Sequence, residues 1–376
     1  MRIRGAVLSR AGGGRPYAIS DALTIRDLEL AAPGPGEVLI RIVAAGLCHS
    51  DLSVIDGSRV RPLPMLLGHE ASGVVAALGP DVSDVAVGDH VVLAYVPSCG
   101  SCGPCRAGRP ALCEPAMAAN GAGTLLGGER RLRSEAGSAI HHHLGVSAFA
   151  DHAVVSTASV VRISRDADLQ LAAVLGCAVL TGVGAVLNTA QAAAGSSAVV
   201  FGLGGVGLSA VMGAVLAGCD PIVAVDLVPA KLELALDVGA THVVRGDDPD
   251  ALDRIREITH GGGDSVIEAV GRVATLELAY TATCRGGTTV SAGLPAPDKM
   301  LSIPALSLVA EERTLKGSYM GSSVPRRDVP RYLELAKSGR LPVDRLVSGT
   351  LALDEINIGF DRLADGSVVR QLVTFV

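Results

Sequence analysis

Four cysteines in one short run have the spacing C-x2-C-x2-C-x7-C: Cys99, Cys102, Cys105 and Cys113. Thiolates this closely spaced can converge on one ion, and Zn²⁺ bound tetrahedrally by four sulfur ligands is the usual closed, structural metal site. Because a closed site leaves no coordination position for a substrate, the cluster is predicted to stabilise a lobe of the chain without taking part in catalysis.

Two other interpretations of the four cysteines remain open. Bacterial iron–sulfur clusters use C-x2-C-x2-C-x3-C-P, whereas here the last gap is seven residues and Glu114 follows Cys113. Disulfides need an oxidising compartment, and the N-terminal apolar stretch, which is short and interrupted by glycine, does not resemble a signal peptide. Zinc is therefore favoured, and a cytoplasmic protein is expected.

A glycine-rich motif follows an apolar run and precedes a predicted helix: Gly202-Leu-Gly204-Gly205-Val-Gly207. In that context the first glycine permits a tight turn, the second lets the backbone approach a pyrophosphate, and the third lets the helix pack on the strand. The helix N-terminus supplies N–H donors to the phosphate. The motif predicts dinucleotide binding; the alternative is a glycine-rich turn without a ligand.

The next predicted strand ends at Asp226, 19 residues past Gly207. An acidic side chain there accepts hydrogen bonds from the adenosine ribose. Leu227 and Val228 follow, so no arginine at this strand end would bind a 2′-phosphate, and NAD is predicted over NADP. Lys231 is close enough in sequence to reach the same ribose, although a surface helix lysine is its ordinary interpretation.

Composition limits the function classes. A chain of 376 residues favours two domains, and with 49% hydrophobic but only 2% aromatic residues their cores must be aliphatic. A net charge of −6 argues against a nucleic-acid partner. Residues 169–219 carry no charge, but glycines and polar residues interrupt them. A buried parallel sheet covered by helices is therefore favoured over a membrane span.

The pattern of predicted elements changes along the chain. The first 160 residues contain short β-rich runs at 38–46, 71–79 and 89–96, bounded by Gly, Pro and Asp. From about 180 to 320, strands and helices alternate, which predicts an α/β fold with a doubly wound parallel sheet. The histidines at 141–143 lie in a Gly/Ser-rich stretch and are predicted to form a solvated loop; the alternative is a metal site.

Three further residues stand in separate segments: Cys48 in AAGLCHSDL, His69 in LLGHEASG and Cys177 in LGCAVLTG. Spacing alone does not join them. Together with the four-cysteine lobe, FGLGGVG, VDLVPAKLELALDVGATH and the tail VVRQLVTF, however, the chain resembles the zinc-dependent medium-chain alcohol dehydrogenases over essentially its whole length. The interval from Cys113 to Cys177 resembles the longer, mostly dimeric members, so a homodimer is expected.

The resemblance implies the architecture. It assigns residues 1–178 and 321–376 to a β-rich GroES-like catalytic domain, with the structural zinc lobe near 97–115. It assigns residues 179–320 to an NAD-binding Rossmann domain. The expected activity is reversible oxidation of a primary or secondary alcohol to an aldehyde or ketone, with hydride transfer to NAD. Two zinc ions per chain are expected.

The resemblance also implies the catalytic centre. Cys48, His69 and Cys177 would bind the catalytic Zn²⁺ and leave its fourth coordination position open. Two cysteines and one histidine are the known catalytic zinc ligands of alcohol dehydrogenases. Glu70 would lie behind the metal, and Asp51 would hold a ligand in place.

A proton relay is implied next to the metal. Ser50 matches the hydroxyl that first takes the alcohol proton. Many relatives end the relay with a histidine five residues after the first cysteine, but this chain has Ser53 there. Water or the neighbouring His49 is the alternative terminus.

Further matches concern the cofactor and the substrate. His49 and Arg370 match residues that contact the pyrophosphate, and Thr181 and Val206 match residues that press on the nicotinamide. The substrate channel would be lined by Tyr95 and Leu294. Cys219 and Cys284 match no ligand and are predicted to be buried, small apolar residues.

Two other functions remain open at this stage. One is a formaldehyde–thiol adduct dehydrogenase of the same family, which would use the same zinc site but needs basic residues to grip the thiol carrier; none is evident around 114–117. The other is a non-catalytic zinc-binding relative, although such proteins usually lack the ligands that this chain retains. For either dehydrogenase function, the expected partner is a small alcohol or aldehyde.

Overall fold

The structure is a computed structural model, and it describes residues 1–375. The chain divides into two compact units. The first contains Met1–Cys177, Val324–Glu334 and the C-terminal segment from Val347. The second contains Ala178–Ser323 and Leu335–Leu346.

The first unit is mainly β-structure. A closed barrel is formed by five strands: Arg2–Leu8, Leu23–Leu30, Met65–Leu66, Leu132–Ser134 and Ala139–His142. A second sheet contains Glu37–Gly46, Ala71–Leu78, His90–Leu93, His152–Ser156, Val160–Ile163, Val347–Leu351 and Arg370–Thr374. As the composition predicts, the core between these strands is largely aliphatic, and Phe149 and Phe360 meet edge-to-face within it.

Short helices connect these strands. They are Tyr17–Ser20, His49–Ile55, Gly103–Arg106, Glu114–Ala122, Leu169–Ala173 and Ile356–Ala364. Brief 3₁₀ turns include Pro110–Leu112, Thr157–Ser159, Val174–Gly176 and Leu353–Glu355. The longer helix Pro325–Lys337 begins in this unit.

The second unit is a six-stranded parallel sheet. In spatial order its strands are His242–Arg245, Ile222–Asp226, Ala198–Phe201, Gly263–Glu268, Thr283–Ser291 and Thr314–Gly317. The main helices of this unit are Ala178–Gly184, Gly205–Ala217, Pro229–Asp237, Ala251–Ile258, Val273–Thr281 and Ala305–Ala310. The chain winds outward in both directions from its first strand, so the predicted doubly wound α/β fold is confirmed.

The charge-free stretch lies inside this architecture. The strand Ala198–Phe201 is fully buried, and most of the helix Gly205–Ala217 is buried as well. Within residues 1–375, no single helix has the length and apolarity to cross a bilayer. One bent pair of helical segments, Leu169–Gly176 and Ala178–Ala190, reaches that length and apolarity only when the two are taken together.

The histidine triplet is not a solvated loop, so that prediction is wrong. Residues 139–142 form a barrel strand that pairs in parallel with Met65–Leu66. His142 and His143 are each only 1% exposed. The ring nitrogen Nε2 of His142 accepts a hydrogen bond from the backbone N–H of Arg131 at 3.1 Å. Pairing within the barrel therefore buries residues whose polarity suggested solvent.

Candidate active site

Cys48 lies at the N-cap of the helix His49–Ile55, where the chain leaves a central strand of the second sheet. Asp51, the third residue of that helix, accepts a hydrogen bond from the backbone N–H of Cys48 through Oδ2 at 3.2 Å. A carboxylate in the first turn also interacts favourably with the positive end of the helix dipole. The helix start thus fixes the Cys48 backbone and buries Asp51 beneath it.

His69 lies in the tight turn that joins Met65–Leu66 to the strand Ala71–Leu78. The turn depends on Gly68, whose φ is +92° and where a Cβ would lie 2.6 Å from the backbone nitrogen of Phe149. Only glycine adopts this conformation freely in so little space. The turn directs the imidazole of His69 into the interior, where it is 1% exposed.

Cys177 follows a 3₁₀ turn, and its sulfur lies 3.5 Å from Nε2 of His69. The candidate ligand atoms of Cys48, His69 and Cys177 all lie within 4.8 Å of one another, and all three residues are buried. The fold therefore brings together three residues that are far apart in sequence. Two sulfurs and one imidazole nitrogen suit Zn²⁺ and match the ligand set of a catalytic zinc site with one open position.

Asp51 holds the other side of the His69 ring. Its Oδ1 lies 3.1 Å from Nδ1 of His69 and also accepts the backbone N–H of Gly68 at 3.2 Å. A proton on Nδ1 that faces the carboxylate leaves the Nε2 lone pair directed toward Cys177, which is the tautomer a metal ligand needs.

Electrostatics at this cluster agree with a metal-binding role. Burial alone would lower the pKa of His69, but Asp51 and Cys48 together outweigh it and hold that pKa well above its ordinary value. A hydrogen bond from Cys177 lowers the pKa of Cys48 well below that of a free thiol, and the same bond raises the pKa of Cys177. A bound cation would displace these protons, so binding must depend on pH.

Glu70 and Arg370 form a buried pair beside the cluster. Oε1 of Glu70 lies 3.5 Å from Nε of Arg370, and both side chains are at most 3% exposed. The guanidinium also donates to the carbonyl oxygen of Leu47 at 2.7 Å. Burial raises the pKa of Glu70 to about 7, although the charge of Arg370 opposes this. Within the described chain, neither carboxylate oxygen of Glu70 has a hydrogen-bond partner.

The four-cysteine lobe is a second cluster in the same unit. The sulfurs of Cys99, Cys102, Cys105 and Cys113 lie within 4.8 Å of one another. Backbone N–H groups point at two of them, from Cys102 to the sulfur of Cys99 at 3.3 Å and from Cys99 to that of Cys113 at 3.2 Å. The N–H groups of Ser101 and Cys102 lower the pKa of Cys99 to about 6, whereas burial raises that of Cys105 to about 12. Four convergent sulfurs fit one tetrahedral ion.

The glycine motif forms the turn between Ala198–Phe201 and the helix Gly205–Ala217. Gly202 has φ +87°, and a Cβ at Gly207 would overlap the carbonyl oxygen of Gly202. A Cβ at Gly204 would meet open space, and no side chain of the described residues caps the helix start. The turn therefore leaves backbone N–H groups accessible to an anion, as a dinucleotide phosphate requires.

Asp226 ends the neighbouring strand beside this turn. Its Oδ2 accepts the backbone N–H of Leu203 at 2.7 Å, and its Oδ1 accepts that of Val228 at 3.0 Å. These bonds fix the carboxylate at the end of the strand, where a ribose diol would be recognised. Lys231 is half-buried in the first turn of the next helix, Pro229–Asp237.

The sequence analysis missed Arg245, which the sheet register places opposite Asp226 on the adjacent strand. An arginine in this position is a candidate partner for a 2′-phosphate. Its guanidinium is already engaged by Asp247, through Nε–Oδ1 at 2.9 Å and Nη2–Oδ2 at 2.6 Å. Only the pairing of strands 20 residues apart reveals this neighbour, so motif spacing could not have found it.

The residues predicted to form the proton relay lie on the helix His49–Ile55. His49 is exposed and Ser50 is half-buried. The hydroxyl of Ser53 donates to the carbonyl oxygen of His49 at 2.8 Å. The hydroxyl proton of Ser53 is therefore already donated to a main-chain oxygen.

The remaining predicted residues are distributed over both units. Tyr95 is 7% exposed, and its ring meets the His69 ring edge-on with centroids 5.6 Å apart. In the second unit, Thr181 is buried in the helix Ala178–Gly184, Val206 is half-buried in the first turn of Gly205–Ala217, and Leu294 is 48% exposed.

The two cysteines that match no ligand differ in burial. Cys219 is buried, as predicted, whereas Cys284 is only half-buried.

Comparison with known proteins shows which family this chain resembles. A family model described as an alcohol dehydrogenase GroES-like domain matches residues 34–165, and one described as a zinc-binding dehydrogenase matches residues 205–338. The NDMA-dependent alcohol dehydrogenase of Amycolatopsis methanolica is 38% identical over 379 residues, covering 99% of each chain. The S-(hydroxymethyl)glutathione dehydrogenase of Paracoccus denitrificans is 35% identical over 386 residues, covering 100% of each.

A solved structure is similar over the same extent. The crystal structure of benzyl alcohol dehydrogenase from Acinetobacter calcoaceticus matches with a TM-score of 0.93 and 33% identity, and the match covers 100% of both chains.

Proposed function

The chain belongs to the zinc-dependent medium-chain alcohol dehydrogenase family, and from this premise we propose that it catalyses the reversible, NAD-dependent oxidation of a primary or secondary alcohol to an aldehyde or ketone. The observation that carries the proposal is the buried convergence of Cys48, His69 and Cys177. These residues would hold a catalytic Zn²⁺, and the four-cysteine lobe would hold a structural one. The first unit would carry the reaction and the second the cofactor.

Each group has a defined task in this proposal. A bound Zn²⁺ supplies Lewis acidity that lowers the pKa of a substrate hydroxyl, and NAD supplies the hydride acceptor. Asp51 keeps the His69 ring oriented toward the two sulfurs. Glu70 and Arg370 place a carboxyl and a compensating positive charge behind the cluster.

Proton transfer is assigned to Ser50. Ser50 is half-buried and lies two residues after Cys48; its hydroxyl would accept the alcohol proton and pass its own along a hydrogen-bonded chain. Ser53 would not continue that chain, because its proton is directed to the carbonyl oxygen of His49. The onward acceptor is then water or the His49 imidazole.

Cofactor binding is assigned to the second unit. The Gly202–Gly207 turn would bind the pyrophosphate, and Asp226 would accept the adenosine ribose hydroxyls, with Lys231 beside it. A 2′-phosphate would meet the Asp226 carboxylate, and the nearby Arg245 is already paired with Asp247. NAD is therefore proposed over NADP. From the resemblance, His49 and Arg370 would also contact the pyrophosphate, and Thr181 and Val206 would contact the nicotinamide. The resemblance also favours a homodimer.

A second candidate is oxidation of formaldehyde–thiol adducts. It is favoured by the full-length similarity to the Paracoccus denitrificans enzyme, whose name states that substrate. The adduct is chemically an alcohol, so the same cluster would serve. Aromatic alcohols are the other test class, because the Acinetobacter calcoaceticus neighbour is a benzyl alcohol dehydrogenase.

Activity with a substrate panel tests the proposal. The zinc-loaded protein is mixed with NAD⁺ and ethanol, a longer aliphatic alcohol, benzyl alcohol, or formaldehyde plus glutathione, and NADH formation is followed by absorbance. NADH production that disappears in Cys177→Ala supports the proposal. A folded protein with two zinc ions and no NADH from any alcohol would contradict it.

A further inference from the structure

His143 lies against the candidate catalytic cluster, although the resemblance assigns it no role. Its side chain is 2% exposed, and its Nδ1 lies 3.1 Å from Oδ1 of Asp51. Its ring meets the ring of His69 edge-on, with centroids 5.4 Å apart and planes at 89°. His143 thus contacts both His69 and the carboxylate that holds His69.

The contact between His143 and Asp51 is incomplete as a hydrogen bond. Oδ1 of Asp51 already has the N–H of Gly68 and Nδ1 of His69 at 3.2 and 3.1 Å. Nδ1 of His143 therefore approaches as a third neighbour, and among the described residues it has no aligned hydrogen-bond partner. A buried polar group without an aligned partner destabilises the folded state. An apolar ring would fill the same place without that cost.

The protonation of His143 follows from its surroundings. A neutral imidazole carries one proton, on Nδ1 or on Nε2. A lone pair on Nδ1 would face the Asp51 carboxylate at 3.1 Å and be repelled, so the proton belongs on Nδ1. This N–H dipole stabilises the negative charge of Asp51. Although burial alone would raise the pKa of Asp51, the imidazoles of His69 and His143 hold it below its usual value.

We propose that His143 is a positioning residue for the catalytic metal: its Nδ1–H supports the charge of Asp51, and Asp51 in turn fixes His69 as a ligand. The inference rests on the proposed zinc site at Cys48, His69 and Cys177. It adds a donor behind the residue that orients the ligand, and loss of such outer partners typically weakens metal binding about 10- to 100-fold. His143 touches no reacting atom in this account.

Three variants separate the N–H from the ring. His143→Phe keeps a ring and removes the donor, His143→Asn keeps a donor and removes the ring, and His143→Leu, close to asparagine in size, removes both. The control is His141→Gln, which removes a half-buried imidazole two residues away. Two readouts are measured: the rate at which zinc passes to a chromogenic chelator, and the visible spectrum of the cobalt-substituted protein. Only the metal fraction that Cys48→Ala lacks is counted.

The expected result is release about tenfold faster in His143→Phe and His143→Leu, with a shifted cobalt spectrum. The parent, His141→Gln and His143→Asn should stay within about threefold of one another. Release as slow in His143→Phe as in the parent would overturn the proposal and leave His143 a packing residue. If His143→Phe does not fold, equal release from His143→Asn and His143→Leu overturns it. A parent that binds no metal at Cys48 would instead refute the proposed function.

Discussion

Nδ1 of His69 lies 3.1 Å from Oδ1 of Asp51, and neither side chain is more than 1% exposed. The carboxylate orients the ring and increases its basicity as a ligand. We expect Asp51→Asn to weaken zinc binding at the Cys48 cluster about 10- to 100-fold, because the amide keeps the shape but loses the charge. Competition with a chelator measures the affinity. Asp27→Asn, on an exposed strand position, is the charge-matched control, and equal affinities in the two variants would contradict the assignment.

The relay residues should respond unequally to substitution. Ser50→Ala is expected to lower alcohol oxidation about 10²–10⁴-fold, the range typical of lost proton-transfer catalysis. Ser53→Ala should change kcat little, because the Ser53 hydroxyl bonds to the backbone of its own helix. Ser53→His should raise the rate at pH 6–7, since histidine titrates near pH 6.5.

Pre-steady-state and steady-state rates with deuterated alcohol give the decisive comparison for this relay. A large isotope effect shows that hydride transfer limits kcat. If that effect is present and Ser50→Ala still oxidises alcohol at the parent rate, Ser50 is not part of the relay.

Cofactor preference should depend on Asp226. In the proposed function this carboxylate would accept hydrogen bonds from a ribose diol and repel a 2′-phosphate, so kcat/KM is expected to be clearly higher with NAD⁺ than with NADP⁺. Asp226→Ala should lower the ratio of kcat/KM for NAD⁺ to that for NADP⁺. Adding Asp247→Ala should lower this ratio further, because it frees Arg245. Steady-state kinetics with both cofactors test this. Equal efficiencies in the parent protein would show that the strand end does not select the ribose.

Stability should fall in mild acid because of His142. Burial, together with Arg130 and Arg131, lowers the pKa of His142 to about 3, against about 6.5 in an unfolded chain. Below pH 6.5 the unfolded state therefore takes up a proton that the folded state refuses, and the free energy of unfolding decreases until the pH reaches about 3. Between pH 7.5 and pH 5 this single group should cost about 2 kcal/mol.

Denaturant unfolding at these two pH values measures the effect. His142→Gln removes the titrating group while its amide oxygen can still accept the backbone N–H of Arg131. The parent should lose about 2 kcal/mol more than this variant on going from pH 7.5 to pH 5. An identical loss in both proteins would mean that His142 is protonated in the folded state or reaches solvent.

Much of the fold follows from local patterns in the sequence. The apolar run before the glycine motif forms the strand Ala198–Phe201, and the helix predicted after the motif begins at Gly205. Hydrophobic periodicity and turn residues act over a few positions, so they can be read locally. The four-cysteine lobe is equally local, because its cysteines lie within 15 residues of the sequence, at or just before two short helices.

The rest depends on contacts between distant segments. His69, in a turn between two strands, and Cys177, after a 3₁₀ turn, come within 3.5 Å of each other only in the folded chain. From the sequence, only the family resemblance predicted that they share a site. The burial of His143 could not be predicted, because a polar triplet in a glycine-rich stretch gives no sign that it lies at the end of a barrel strand. Arg245 beside Asp226 and the bond from Ser53 to His49 depend on register and rotamer, which residue types do not encode.

In the proposed function the chain holds two zinc ions with different tasks. Elemental analysis of the purified parent, Cys48→Ala and Cys102→Ala, combined with thermal unfolding, distinguishes the two sites. We predict two zinc ions per chain in the parent. Cys48→Ala should retain one, keep its melting temperature within a few degrees and lose alcohol oxidation, whereas Cys102→Ala should lose zinc and melt earlier because a closed site has been broken. A parent with fewer than two ions, or a Cys48→Ala protein that keeps both, would contradict the account.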